Sequence, residues 1–515
     1  MMYLTQLLPA IRALALALLA TLCCVQHSKA CASDRFYGVG QPHSTSDLPT
    51  GELKSALKKL PPSAQAEALG QLQNISFSAE DTAHLKVDSE GSILYADAVE
   101  PSPEASSQAE VPTSSLAVDP AKIFKLHSRP GSSNVMFLDF DGHDLEGTAW
   151  NVNRASVLKA LPFDPYGNDN PSTVANFHQS ELNRIAEIWH RIASDFAVFD
   201  IDVTTEEPDV FTNTTAHILF THDKDANGNS MPWINAPGAA YADVFGSSDY
   251  VSYYSPALVY YTNLYEYAQG YAPPIAEAAS HYFGHQLGLG HDGRVSAGDQ
   301  YQGHGIGKVS WAPIMGWAYG KNVTQWSQGE YPSASNPEND LAIIAGHLGY
   351  IGDDHADSSA QATALAVDAD GMILSSSPEL DPDNVLTENK GIIGDRDDVD
   401  WFYVDVTGSG TLEITATPSW HAFTRSSERG ENLDLELLLF NSSLTLIAAD
   451  EPEDETNATV TATVNPGRYY LQLDGVGNNS NSDYSDYASI GMYFIEGSVP
   501  MGNSQPNQVF SSSFE

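Results

Sequence analysis

The stretch "SHYFGHQLGLGHDG", residues 280–293, carries three histidines at a spacing that suits a metal ion. His281 and His285 are four residues apart, so both project from one face of a helix. Gly288 lets the chain leave that helix and bring His291 round as a third ligand. Three imidazoles leave one position of a tetrahedral zinc ion for water, as in catalytic zinc sites. We therefore predict zinc binding; the alternative is three unrelated histidines on a helix that ends in glycine.

The segments before the histidines alternate between strand and helix patterns. Three apolar runs, "NVMFLDFDG", "DIDVTTEEP" and "AHILFTHD", predict buried strands. Residues 177–199 have apolar side chains at helical spacing and predict an amphipathic helix. Residues 273–288 predict a second helix, which carries the first two histidines. This alternation indicates an α/β layer.

The region from about 134 to 350 resembles the metzincin clan of zinc metallopeptidases. The clan's motif is H-E-x-x-H-x-x-G-x-x-H, followed downstream by a methionine turn, and residues 281–291 follow it at every fixed position except the second. Asp292 comes next, as in many members, and Met315 in "WAPIMGWAYG" stands where the Met-turn is expected. The resemblance implies a metzincin-like fold, peptide-bond hydrolysis, and zinc ligation by His281, His285 and His291.

Tyr282 stands where the family has its glutamate. That glutamate takes a proton from the zinc-bound water and later delivers it to the leaving amine. A phenol, with a pKa near ~10, is neutral at pH 7 and does not readily accept a proton. Losing a positioned base costs on the order of 10²- to 10⁴-fold in rate. We therefore expect peptide hydrolysis to be weak or lost.

Two nearby acids are candidates for supporting the histidines. Glu277 lies one helical turn before His281 on the same face, which favours a hydrogen bond to an imidazole over contact with the zinc-bound water. A helix cap is the plainer alternative for Glu277. Asp292 is placed to orient a ligand or the turn. Tyr319 is expected in the core or at the rim, because the family's tyrosine ligand would fall where Trp317 stands.

The composition is strongly acidic. The 515 residues include 67 acids and 23 bases, for a formal net charge of −44. Such a chain repels nucleic acids and anionic lipid surfaces, and it offers carboxylates to Ca²⁺. A solvated acidic surface is the plain explanation.

Two segments are candidate calcium loops. In "DKDANGN" the oxygen ligands would be Asp223, Asp225 and Asn227, but Ile234 stands where a bidentate acid is expected, and a simple Asx turn is the alternative. In "GDRDDVDWF", residues 394–402, acids cluster at the entry to a β-rich region, with a plain acidic turn as the alternative.

The N-terminus predicts export. Arg12 precedes the apolar run "ALALALLATLCCV", and Ala30-Cys31-Ala32 fits a signal-peptide cleavage site. All three cysteines lie at or before that cut, so the mature chain has none. This excludes disulfides, a thiolate ligand and a cysteine switch. We predict a secreted or periplasmic protein with no integral membrane segment in its mature chain.

The whole chain is predicted to be an α+β multidomain protein. The C-terminal strand patterns form a β-sandwich that resembles a bacterial pre-peptidase C-terminal domain. The predicted parts are a signal peptide (1–32), a pro-segment with flexible linker (33–130), a metzincin-like α/β peptidase domain (131–351), a linker (352–385), the β-sandwich (386–498) and a tail (499–515).

Three functions remain open from the sequence. The first is a secreted zinc-binding metallopeptidase homologue with weak or lost hydrolysis. The second is an active zinc endopeptidase with a non-standard base. The third is a non-catalytic protein that binds peptides or glycans. The tyrosine-rich residues 250–271 could bind an extended peptide by strand addition, or they could stiffen a loop with buried aromatics. In each case the partner is a protein or peptide, or a glycan in the third.

Overall fold

The computed structural model describes residues 35–97, 121–165, 167, 177–267, 272–295, 300–374, 388–418, 432–478 and 483–502. The predicted signal peptide, residues 98–120 of the predicted linker and most of the predicted tail lie outside the described residues. Within the described ranges, no helix combines the length and the apolar character that crossing a bilayer requires.

Residues 35–97 form a small unit with its own apolar core. Its elements are β1 (Phe36–Tyr37), α1 (Glu52–Leu57), α2 (Pro62–Leu72), β2 (Phe77–Ser78), β3 (Leu85–Val87) and β4 (Ile93–Tyr95). The core holds apolar side chains from both helices and all four strands, including Leu57, Leu72 and Phe77, which are fully buried. Buried apolar side chains of this number stabilise a compact unit, so the N-terminal segment is folded.

A seven-stranded mixed sheet joins this unit to the rest of the chain. The remaining strands are β5 (Val135–Asp139), β6 (Asp202–Thr204), β7 (Thr215–Thr221), β8 (Gly238–Tyr241) and β9 (Ala257–Tyr260). The order across the sheet is β3-β4-β8-β9-β7-β5-β6. Strands β6, β5, β7 and β9 are mutually parallel, whereas β8, β4 and β3 are added antiparallel. Strands from both sides of residue 130, the predicted end of the pro-segment and linker, therefore share one sheet.

Helices α3 (Gln179–Asp195), α4 (Ala272–Gln286) and α5 (Asp340–Leu348) belong to the same part of the molecule. Ile185, Ile188 and Ile192 of α3 are fully buried at helical spacing, in the core that also holds the sheet residues. The backbone N–H of His178 donates to Glu181 at 2.8 Å and closes the start of α3. Helix α4 packs against α3, β8 and β9, which places the histidine-bearing helix beside the antiparallel end of the sheet.

A short parallel pair follows the histidines: β10 (Trp311–Pro313) and β11 (Val323–Gln325). Met315 lies in the loop between them. This pair therefore holds the predicted Met-turn from both ends.

The C-terminal part is a two-sheet β structure. Its strands are β12 (Thr363–Ala364), β13 (Met372–Ile373), β14 (Lys390–Ile393), β15 (Val399–Val406), β16 (Gly410–Pro418), β17 (Leu435–Asn441), β18 (Leu446–Asp450), β19 (Ala458–Val464), β20 (Gly467–Gly475) and β21 (Gly491–Ser498). One sheet has the order β12-β15-β20-β17-β18; the other is β13-β21-β16-β19, with β14 also on β21. Alternate side chains of both sheets fill one core. Strands β12 and β13 fall in the predicted linker 352–385, so the sandwich begins earlier than residue 386.

Candidate metal centre

The three motif histidines converge on one point. The Nε2 atom of His285 lies 3.0 Å from Nε2 of His281 and 3.2 Å from Nε2 of His291. His281 and His285 lie on α4, and Gly288, with φ of +96°, turns the chain after the helix so that His291 faces them. All three side chains are buried, at 2% exposure or less. The predicted trio is thus brought together.

The second ring nitrogen of each imidazole, Nδ1, also contacts a partner atom. Nδ1 of His281 contacts the carbonyl of Ile314 at 2.8 Å, and Nδ1 of His285 contacts the carbonyl of Leu289 at 2.8 Å. Because a carbonyl only accepts, both Nδ1 atoms carry the proton and both Nε2 atoms present lone pairs. This is the second-sphere arrangement that orients histidines toward a metal.

His291 is held by a residue that the sequence analysis missed. Its Nδ1 lies 2.7 Å from Oδ1 of Asp81, in the N-terminal unit. The pKa of His291 is raised to about 10: burial lowers it, but the facing carboxylates of Asp97 and Asp81 raise it by more. The third histidine therefore sits in a strongly negative setting, which also favours a divalent cation.

Asp97 supplies a fourth ligand atom to the cluster. It lies two residues beyond β4, and its oxygens are 3.0 Å from Nε2 of His291 and 3.3 Å from Nε2 of His281. The ligand atoms of Asp97 and the three histidines all lie within 4.8 Å of one another. Asp97 is 1% exposed, and its Oδ1 also lies 3.2 Å from Nδ1 of His84, so imidazoles from three sides face this buried carboxylate. A divalent cation at their centre would add a positive partner for the carboxylate.

The four residues fit Zn²⁺. Zinc with bonds of about 2.0 Å separates tetrahedral ligand atoms by about 3.3 Å, close to the 3.0–3.3 Å observed here. Nitrogen and oxygen donors in this ratio match the ion's preference. Tyr95 adds a stacking contact, with its ring 3.7 Å from that of His285. The site is thus built from both the motif and the N-terminal unit.

Tyr282 is packed into the structure beside this centre. Its side chain is fully buried, and its phenol interacts with the Asp97 carboxylate. Burial, followed by the charge of Asp97, raises the pKa of Tyr282 well above its usual value, so the phenol stays neutral. A Cβ on Gly238 of β8 would come within 2.4 Å of the Tyr282 ring and 2.2 Å of the Leu258 carbonyl. Glycine at 238 therefore makes room for the ring, and Tyr282 is an integral part of this fold.

Met315 lies directly under α4. It is fully buried, and a Cβ on Gly284 of α4 would meet its sulfur at 2.5 Å. The backbone N–H of Asp292 donates to the carbonyl of Met315 at 2.9 Å, which ties the histidine turn to the methionine loop. Trp317 and Tyr319 pack edge to face at 4.6 Å and are both buried, so Tyr319 lies in the core.

The two acids expected near the histidines occupy other places. The Oε1 atom of Glu277 accepts from the Thr324 hydroxyl at 3.0 Å, and burial, then the nearby charge of Asp195, raises its pKa well above the usual value. The prediction that Glu277 forms a hydrogen bond to an imidazole is therefore wrong. The Nδ1 atoms of His281 and His285 each contact a backbone carbonyl, and Nδ1 of His291 contacts Asp81. Asp292 orients the turn through its backbone, and burial followed by Glu338 raises the pKa of its carboxyl.

The first candidate calcium loop is an Asx turn. The Asp225 carboxylate accepts from the backbone N–H of Asn227 at 2.9 Å and of Asn229 at 2.7 Å. Asp223 pairs with His222 at 2.6 Å. The oxygens of Asp225 are thus taken up by the loop's own amides, so the proposed calcium set of Asp223, Asp225 and Asn227 is not supported.

The second acidic segment does form a cluster. The carboxylate of Asp400 lies close to those of Asp353 and Asp354, two residues of the predicted linker. Next to them is a cavity of about 280 Å³ lined in part by Asp395, Asp397 and Asp398. Burial and the neighbouring acids raise the pKa of Asp400 to about 9, and Oδ1 of Asp400 has no hydrogen-bond partner within the described residues.

The tyrosine-rich segment 250–271 is described in part, because the side chains of residues 265–271 lie outside the described residues. Tyr250, Tyr260 and Tyr261 are buried, and Tyr250 donates to Gln286 at 2.9 Å, while Tyr253 and Tyr254 are partly exposed. Among the described tyrosines, these three are therefore buried aromatics that stiffen the loop.

The comparisons with known proteins match the C-terminal part of the chain. The family model described as bacterial pre-peptidase C-terminal domain matches residues 398–475, so the chain contains this domain. Among solved structures, the pre-peptidase C-terminal domain of a collagenase from Bacillus anthracis is similar at 17% identity, covering 21% of this chain and 83% of that one, with a TM-score of 0.15. No curated protein matches the chain.

Proposed function

We propose that this protein is a secreted, zinc-binding homologue of metzincin metallopeptidases whose peptide hydrolysis is weak or lost. The observation that carries the proposal is the convergence of three Nε2 atoms and the Asp97 carboxylate in a buried group of zinc-like dimensions. The pre-peptidase C-terminal domain supports a protein substrate or ligand.

The sheet next to the centre favours an extended peptide as ligand. Strand β4 pairs antiparallel with β8, with Leu94 opposite Tyr241 and Tyr95 opposite Ala240, and the chain then delivers Asp97 to the histidines. Apart from β4, the partner of β8 is β9, so β8 would be an open edge without β4. An open edge next to a metal ion can bind an extended chain by strand addition. In this proposal the N-terminal segment occupies a peptide-binding cleft.

The pairing of β4 with β8, which brings Asp97 to the histidines, would also keep the proposed metal centre closed. Zinc supplies a polarising charge and lowers the pKa of a bound water. With the ion bound, Asp97 would hold the ligand position that such a water needs, and β4 covers the edge that a substrate would need. Tyr282, neutral and buried, cannot act as the base. Two independent features thus oppose hydrolysis. Asp97 and β4 can be removed with the N-terminal segment, whereas Tyr282 belongs to helix α4 itself.

Zinc analysis of the full chain tests the metal centre. We expect chelator-removable zinc in the purified protein and a smaller amount of it in His285→Ala, since His285 contacts both other histidines of this centre. Asp97→Asn keeps the shape of the side chain but weakens the ligand, so it should release zinc at lower chelator concentration. Wild-type protein that binds no zinc after refolding with excess metal would refute the proposal.

Casein hydrolysis with and without chelator tests the missing base. Wild type and Asp97→Ala should both be slow. When both proteins have been cut between Asp97 and Ala121 so that the segment carrying β4 can leave, adding Tyr282→Glu to Asp97→Ala should raise chelator-sensitive hydrolysis by roughly 10²- to 10⁴-fold, because it restores a carboxylate base. Tyr282→Phe is the matched control and should leave hydrolysis low.

Two outcomes would contradict the proposal that hydrolysis is weak only because the general base is missing at position 282. Efficient cleavage by Asp97→Ala alone would show that the protein is an active endopeptidase with a non-standard base. A folded, zinc-loaded double variant that stays inert would show that the cleft has lost more than its base, which would favour a peptide-binding protein.

We also propose that Ca²⁺ binds the acidic cluster of Asp353, Asp354 and Asp400. Carboxylate oxygens are ligands that Ca²⁺ prefers. Addition of Ca²⁺ should raise the melting temperature of the full chain, and Asp400→Asn should remove most of that increase. An equal increase in both proteins would contradict the assignment.

A further inference from the structure

A second group of metal-binding side chains lies at β5 and β7. Asp139 ends β5, His217 lies on β7 and His143 lies in the turn that follows β5; one ligand atom from each lies within 4.8 Å of the others. The register pairs Phe137 with His217, and alternation along β5 puts Asp139 on the same face as Phe137. The two strands therefore present Asp139 and His217 on one face of the sheet.

The distances within this group are compatible with one ion. Oδ2 of Asp139 is 2.8 Å from Nε2 of His217 and 3.8 Å from Nδ1 of His143. These values bracket the separation of about 3.3 Å between ligands of a tetrahedral zinc ion. The two imidazole rings are 4.7 Å apart and nearly perpendicular, so both can direct a nitrogen toward the same point.

The turn that carries His143 is built to hold it in place. Gly142 has φ of +89°, and a Cβ there would lie 2.7 Å from the carbonyl of Ala160. The backbone of His143 exchanges two hydrogen bonds with Ala160, at 2.8 and 3.3 Å. Because glycine at 142 lets the two backbones approach, the turn fixes His143 above the ends of the strands.

The charge of the group favours a cation. Asp139 is 2% exposed, and among the described residues its ion pairs are with His143 and His217, with no lysine or arginine. A buried carboxylate without a permanent positive partner is costly, and a bound ion removes that cost. The His143 side chain is 39% exposed, which gives an ion a path from solvent and leaves room for water as a further ligand.

We propose that Asp139, His143 and His217 form a second, structural binding site for a divalent transition-metal ion of the Zn²⁺ type. Two imidazoles and one carboxylate select zinc-like ions over Ca²⁺ and Mg²⁺, which prefer oxygen ligands throughout. The ion would fasten the turn after β5 to β7. The proposal shares no residue with the centre on α4 and stands independently of it.

Zinc stoichiometry of the full chain tests the proposal. After chelator treatment and dialysis, titration calorimetry with Zn²⁺ should give about two ions per chain for wild type and about one for His143→Ala. His285→Ala should also give about one, and the double variant close to none. His143→Gln, which keeps more of the side-chain volume, should behave like His143→Ala, and circular dichroism verifies that both are folded.

His222→Ala is the matched control, because His222 is similarly exposed, at 38%, and also pairs with an aspartate. It should bind as much zinc as wild type. If His143→Ala and His143→Gln bind as much zinc as wild type, or if His222→Ala loses as much as they do, the second site is refuted. Undiminished binding by His285→Ala would instead contradict the first centre, so the two failures are distinguishable.

Discussion

At the scale of single residues, Tyr282 shows how one substitution is accommodated by its surroundings. The bulky phenol of Tyr282 fits because Gly238 on the neighbouring strand lacks a side chain. The motif predicted the histidines, but no short-range pattern links residue 238 to residue 282. The histidine motif alone marks residue 282 as unusual, while the packing around the Tyr282 ring is visible only in the fold.

His127 provides a residue-scale prediction of pH dependence. Its Nδ1 lies 2.7 Å from Asp202 and its Nε2 lies 3.0 Å from Glu206. The hydrogen bond to Asp202 is the largest influence and, with Glu206, raises the pKa of His127 to about 9 against the opposing effect of burial. Because the folded pKa lies above the unfolded value of about 6.5, the stabilisation is complete below pH 6.5 and is lost as pH rises through 9.

Urea unfolding of wild type and His127→Asn at pH 6 and pH 9.5 measures this effect. The difference in unfolding free energy between the two proteins should shrink by about 1 kcal/mol at the higher pH, after allowance for solvent screening of a part-exposed pair. A difference that is the same at both pH values would show that His127 is not protonated in the folded protein.

At the scale of elements, helix α4 depends on a close fit to the methionine loop. Gly284→Ala would drive a methyl group into the Met315 sulfur and should cost about 1–3 kcal/mol. Met315→Ala alone should cost about 2–5 kcal/mol through the cavity it leaves. The double variant should cost less than the sum, since the second change relieves the clash made by the first. Chemical denaturation of the three zinc-loaded variants measures the coupling.

Gly346 on α5 is the matched control for that experiment. It is also a helical glycine, but a Cβ there meets nothing within 4 Å. Gly346→Ala should therefore be neutral or stabilising by up to about 1 kcal/mol. Additive costs for Gly284→Ala and Met315→Ala would show that the two residues do not share a contact.

Element prediction was successful where periodicity was strong and local. The helix predicted for residues 177–199 is found over Gln179–Asp195, and the one predicted for 273–288 over Ala272–Gln286. Asp97, the fourth member of the zinc-like group, and Asp81, which holds His291, were missed because they come from far along the chain: Asp81 and His291 are 210 positions apart. The run of Ile93 to Tyr95 predicts a strand, but nothing in it indicates which sheet edge it will join.

At the scale of the whole molecule, the C-terminal sandwich is docked on the first part of the chain through buried polar contacts. The side chain of Asn432 donates to Asp195 at 2.9 Å and to the carbonyl of Thr324 at 2.8 Å. The amide of Gln325 in turn donates to the carbonyl of Asn432 at 2.6 Å. Asp195 ends α3 and also accepts from Ser280 on α4. One asparagine thus connects the sandwich to Asp195 of α3 and, through Asp195, to Ser280 of α4.

Asn432→Ala should weaken this docking. It removes the donor to Oδ1 of Asp195, whose Oδ2 keeps Ser280, and it removes the side-chain donor to the Thr324 carbonyl, at a cost of about 1–3 kcal/mol. We expect a lower melting temperature and faster cleavage between the two parts in limited proteolysis. Asn465→Ala, at an exposed position of the same sandwich, should leave both measurements unchanged. Equal behaviour of the two variants would contradict a role for Asn432 in docking.

The pairing of β4 with β8 has a consequence for how the N-terminal segment could be displaced. While the chain is continuous, this strand competes with any free peptide at an effective concentration of the order of millimolar, set by its covalent tether. A single cut between Asp97 and Ala121 would turn that intramolecular contact into an ordinary bimolecular one. The freed segment would then be held by its own affinity alone, and free peptides could compete with β4 for the edge of β8.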